Sequence, residues 1–192
     1  MKKTHLVAAT LLCAISLAPA QQPIAPPPRP ADNAPSLLAT MQFLQDKLNA
    51  LGSVSYAIFI HDTKDGSDST KTHTIVASHA TADPAKCHIS YRQKFTIDGK
   101  AGNADDVELS FHDLQDVVVK PIELFINEGS ANAGEPNIIV QSTNPPITVL
   151  LVRGPHGVLA FLPFADAQLA DRVAKATTHA IELCGGGAKE PF

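Results

Sequence analysis

Apolar residues set two rhythms along the chain. Leu37, Met41, Leu44, Leu48 and Leu51 recur at steps of four, three, four and three, the stripe of an amphipathic helix over 36–51. Ser36 is placed to cap its start, and Gly52 to stop it. The period then drops to two. Val54, Tyr56, Ile58 and Ile60 alternate through 54–61, a strand, and the polar segment 62–71 reads as a turn. A second strand is expected over 72–79. In 87–97, Cys87, Ile89, Tyr91, Phe95 and Ile97 share one face, with only Gln93 out of pattern, while His88, Ser90, Arg92, Lys94 and Thr96 occupy the other.

The segment 98–106 is expected to turn the chain. Strands follow at 107–114, 116–126, 137–142, 147–153 and 158–164, with Pro121 marking an edge or a bulge. A final helix runs from Asp166 to Cys184 on a stripe of Leu169, Val173, Ala176, Ala180 and Leu183, and Gly185 ends it. Strands in succession, joined by turn signals, predict a mainly β (α+β) domain: an antiparallel sandwich or partly open barrel of about seven strands, with an N-terminal helix and a C-terminal capping helix.

The ends of the chain add a location. Lys2 and Lys3, the apolar run Leu6–Leu17 and Ala18-Pro19-Ala20 form the three-part pattern of a signal peptide over 1–20. Cys13 follows Leu12 inside the apolar run, which argues against lipidation. Residues 21–35 carry six prolines and read as an extended linker. One domain, 36–184, and a flexible tail, 185–192, complete the organisation. The protein is expected to be exported, periplasmic or extracellular.

Loss of the leader removes two lysines and takes the formal net charge from −4 to −6. An acidic chain has little attraction for nucleic acid or anionic lipid, and no later apolar run is long enough to span a bilayer. An oxidising compartment also changes the reading of cysteine. Only Cys87 and Cys184 remain after the leader, an even pair that predicts a disulfide. A nucleophilic thiol would need a histidine partner. His88 faces away from Cys87 on a strand, and His179 lies five residues before Cys184, a poor helical spacing.

The other histidines, His61, His73, His79, His112 and His156, lack the i, i+4 spacing of a zinc helix. His73 and His79 are expected on one face of one strand. Asp62, Asp65 and Asp68 do not alternate as a calcium loop does. Glu108, Glu123, Glu128 and Glu135 show no spacing that asks for a carboxylate pair. Nucleophile-elbow, zincin, Walker and dinucleotide signatures are missing. Neither catalytic residues nor a metal nor a cofactor is expected.

The order of strands closed by an amphipathic helix resembles PH-like domains. "LSFHDLQDVVV" (109–119) is similar to their central strand-turn-strand element, and "FLPFADAQLADRVAKATTHAIELC" (161–184) to their closing strand and helix. The chain also resembles uncharacterised secreted bacterial proteins whose closing helix ends in "ELCGGG". The PH-like resemblance implies strand addition by a protein or peptide partner at "VVVKPIELFI" (117–126), with Val117, Val119, Pro121 and Phe125 as the candidate edge. It also implies a basic first inter-strand loop for phosphoinositides, whereas this loop carries three aspartates; no phosphoinositide binding is expected. The leading expectation is a non-catalytic exported binding module of unknown partner. The alternatives are a small hydrolase or metal-dependent enzyme, and a small-ligand carrier using the barrel interior.

Overall fold

The computed structural model describes residues 34–187; the signal-peptide reading, the linker up to residue 33 and the tail from 188 lie outside the described residues. Helix α1 (Leu37–Leu51) begins where Ser36 Oγ accepts from the Ala39 amide, and ends at Gly52 with φ +59°. Strands β1 (Ser53–Asp62), β2 (Ser67–Asp83), β3 (His88–Ile97) and β4 (Lys100–Ser110) form an antiparallel meander. Then come β5 (Asp116–Pro121), α2 (Ile122–Asn132), β6 (Ile138–Asn144), β7 (Thr148–Gly154), β8 (Gly157–Phe164) and α3 (Ala167–Leu183). One sheet has the order β4-β3-β2-β1-β6 and the other β5-β7-β8. The fold is thus a mixed α/β arrangement of two antiparallel sheets, with helices at both ends.

Several elements depart from the sequence expectation. Residues 67–71 belong to β2, paired with β1 from Ile58 to Asp62, so the turn shrinks to residues 63–66. Likewise β4 begins at Lys100, and the turn before it is Asp98-Gly99. Serine, threonine and glycine hid these strand ends, because both faces there are exposed and no apolar alternation marks them.

The larger correction is at 116–126, which is not one strand. It stops at Pro121, whose φ of −57° leads into α2. Ile122, Phe125 and Ile126 then fall at i, i+3 and i+4, a helical face that a short apolar run does not distinguish from a strand. Helix α3 is also rotated from the expected stripe. It buries Ala170, Val173, Ala174, Thr177, Ala180 and Ile181, while Leu183 is exposed. Small side chains let that face approach the sheets closely, and burying it outweighs covering one more leucine.

Two hydrophobic clusters result. One gathers α1, α3 and the ends of β3, β4, β7 and β8 around Met41, Ile89, Phe111, Leu150 and Phe164. The other lies among β1, β2, β6, β7 and α2 around Tyr56, Ile58, Ile75, Ile122 and Val149. The Cys87–Cys184 disulfide staples the first cluster, with Cα atoms 5.9 Å apart and a sequence separation of 97. Cys87 itself sits just before β3 in a left-handed conformation, φ +51°, not within the strand as expected. Closing so long a loop removes about 4–5 kcal/mol of chain entropy from the unfolded state.

A tail was expected from 185, but Gly186 and Gly187 are tied to the domain, while Gly185 faces open space. Gly186 N–H donates to the Ile181 carbonyl, and Gly187 N–H to that of Leu114. A Cβ on Gly186 would run into the Phe111 carbonyl oxygen.

Helices also close strand edges with side-chain amides. Asn49 of α1 donates to the Ala80 carbonyl at 3.0 Å and accepts from the Ala80 amide at 2.8 Å. Gln45 accepts from the next outward amide, Ala82. Asn127 of α2 does the same to Val140 on β6, at 3.0 and 2.7 Å. Each asparagine satisfies both main-chain groups of one residue, as a neighbouring strand would.

Candidate functional site

The second cluster is open on one side. Tyr56, His73, Ile75, Gln93, Phe95 and Asp105 stand in the five-stranded sheet and face Ile122, Phe125 and Ile126 of α2 and Phe161 of β8. Between them is a cleft of about 460 Å³, within the range of small-ligand sites. Register explains the gathering. Tyr56 is paired with His73, Ile75 with Phe95, and Gln93 with Asp105, so each pair projects onto one face.

Aromatic rings form much of the lining. His73 stacks on Tyr56 with centroids 5.7 Å apart and meets Phe95 edge-on at 5.3 Å. Across the cleft, Phe125 stacks on Phe161 at 5.4 Å. Burial holds the His73 ring below the usual histidine pKa; nearby Asp98 opposes this and Lys71 reinforces it. Burial likewise pushes the Tyr56 phenol up, so it stays a neutral donor.

Gln93 orders the mouth. Its Nε2 donates to the Phe161 carbonyl at 2.8 Å, joining β3 of one sheet to β8 of the other. Beyond that bond, a shallower groove follows the seam of β4 and β8 past Asp105, Val107, Val158 and Leu159. Both β4 and β8 are edge strands.

The expected partner edge is divided. Val117, Val119 and Pro121 lie on β5, which pairs only with β7 and is therefore an edge. Val119 is 39% exposed, whereas Val117 packs against the first cluster. Phe125 is not on this edge. It sits on α2 and faces the cleft, because the chain turns helical after Pro121.

The remaining histidines scatter. A β-bulge after Ser78 separates His73 from His79, which is exposed with φ +58°, so the two do not share a face. His61 Nδ1 contacts Asp68 Oδ1 at 2.7 Å, and His179 Nε2 donates to the Pro35 carbonyl at 2.9 Å. Among the described residues, no three His, Cys, Asp or Glu side chains are placed to hold a metal, and no helix is long and apolar enough to cross a membrane. Comparison with protein-family models, with curated proteins and with solved structures finds no match.

Proposed function

We propose that this protein is an exported, non-catalytic binding module with a PH-like frame, and that its ligand is a small, largely apolar molecule held in the cleft beneath α2. The observation that carries this reading is the half-open aromatic cleft of Tyr56, His73, Phe95, Phe125 and Phe161. Apolar walls with a few fixed polar groups are the usual makeup of a small-ligand pocket. The Cys87–Cys184 bond suits an oxidising compartment, in line with export to the periplasm or beyond. The PH-like frame rests on the β1–β4 meander, the β5-β7-β8 sheet and the closing helix α3. Helix α2 and strand β6 are an addition to that plan, and the addition supplies one wall of the cleft.

Titration of the full chain with a neutral naphthalene probe tests the reading. Micromolar binding is expected, with a loss of at least about tenfold in Phe125→Ala or Ile126→Asp. Unchanged affinity in both folded variants would place the ligand elsewhere.

A second reading, strand addition by a peptide at β5, is favoured by the free edge and the exposure of Val119. Val119→Lys then weakens a peptide partner and leaves naphthalene binding unchanged.

A further inference from the structure

Tyr56 and His73 bring donors to the rings of the cleft, but the other two polar side chains that line it, Asp105 and Gln93, offer acceptors. Asp105 is the direct strand partner of Gln93, so its carboxylate stands on the cleft side of β4. Gln93 has its Nε2 engaged by the Phe161 carbonyl, which leaves its amide oxygen as an acceptor. The aromatic faces carry the negative side of their quadrupoles. Neither lysine nor arginine lines the cleft, and His73 is its one basic side chain.

Of the charges on the flanking elements, Lys71 and Asp98 act on His73 with opposite sign. Lys120 is bound to Glu128, and Glu123 accepts from the Thr143 hydroxyl. Arg92 and Lys94 alternate with Gln93 along β3 and so lie on the other face. Asp106 and Glu108, one residue out of phase with Asp105, share that outer face with Arg92.

A carboxylate and an amide oxygen at the mouth of an aromatic box are the complement of a cation with an apolar body. An anionic head group would meet a carboxylate and no fixed positive charge. A neutral body would fill the rings but leave Asp105 without a partner.

We propose that the cleft selects small organic cations, a protonated or quaternary ammonium carried on an aryl or alkyl body. The assignment rests on the cleft reading above and adds the head-group chemistry to it. The body lies between Phe125 and Phe161 on one side and Phe95 and Tyr56 on the other. The ammonium sits at the mouth: a protonated one donates to Asp105 and the Gln93 oxygen, and a quaternary one, which has no N–H, meets the carboxylate and the ring faces by charge alone.

Three probes with one bicyclic body separate the two claims: 2-(1-naphthyl)ethylammonium, 2-(1-naphthyl)ethanol and 1-naphthylacetate. They are titrated into the full chain at low and high salt, above the pH at which His73 takes up a proton. The ammonium is expected to bind about tenfold tighter than the alcohol at low salt, and the carboxylate weakest of the three. High salt narrows the gap between ammonium and alcohol and leaves the alcohol unchanged. Asp105→Asn, at an exposed position, is expected to remove the preference of the ammonium over the alcohol.

Equal binding of ammonium and alcohol, or a preference that survives Asp105→Asn, overturns the cation assignment while the apolar cleft stands. Failure of all three probes overturns both. Binding of a lysine-bearing extended peptide where the free ammonium fails overturns the small-molecule assignment in favour of a peptide.

Discussion

Gln93 and Phe161 connect the two sheets where no strand pairing does: the glutamine Nε2 reaches the phenylalanine carbonyl at 2.8 Å across the seam of β4 and β8. Removing that donor leaves an edge carbonyl of β8 without its partner beside an apolar cleft. Gln93→Ala is expected to cost about 1 kcal/mol, read by urea denaturation. Gln93→Glu costs more, because a carboxylate faces that carbonyl and Asp105 together. Equal stability of all three proteins would mean the bond does not hold the seam.

The disulfide should be dispensable for folding but not for stability. Cys184→Ala is expected to lower unfolding free energy by about 3–5 kcal/mol under non-reducing conditions. The sheets remain, because their pairing does not involve the bond. Thiol titration of the unfolded, unreduced wild-type chain should find Cys87 and Cys184 both blocked; free thiols at these two positions would contradict the bond.

Glycine substitutions should sort by local space. Gly186→Ala drives a methyl into the Phe111 carbonyl and is expected to cost at least about 2 kcal/mol, since main chain cannot swing aside. Gly185→Ala meets open space at φ +74° and costs only about 1 kcal/mol of left-handed strain. Gly129→Ala, within α2 and also in open space, gains roughly 0.5–1 kcal/mol of helix propensity. Melting temperatures of the three variants give the order directly.

Acidification should weaken the fold through His73. Burial depresses its pKa in the native state, with Asp98 and Lys71 pulling in opposite senses. The unfolded chain therefore takes up this proton first. The stabilisation is complete above about pH 6.5, the ordinary histidine value, and is lost as pH falls through the lower native value. NMR titration of the ring should report a value below that of an unfolded reference, and His73→Phe should flatten the acid limb. A native value at or above the reference would contradict the buried placement.

Much of the frame was legible because apolar spacing reports burial on one face. Helix α1 with its Ser36 cap and the alternation in β1 and β3 follow from that logic, and the cysteine pair from its even count. The cleft was less legible, and the reason is local. Ile122, Leu124 and Ile126 fit a period of two while Ile122, Phe125 and Ile126 fit a helix, and Pro121 is compatible with a strand edge as well as a helix start. One signal was present: Gln93 broke the apolar face of β3. A lone amide on a core face has to find a partner, and its partner marks where the sheets part. Register, which brings Asp105 beside it, depends on where β4 begins, and the glycine and alanine near that start carry no pattern.

Asn49 and Asn127 carry a consequence for life at high concentration. Each occupies both main-chain groups of a strand residue that would otherwise offer itself to a neighbouring molecule. They act as chain terminators for assembly, one in front of Ala80 and one in front of Val140. A leucine at either place would remove the terminator without emptying the core, leaving native-like monomers able to join edge to edge into sedimenting polymers. Two helical amides thus guard the colloidal behaviour of the domain as well as its strand edges.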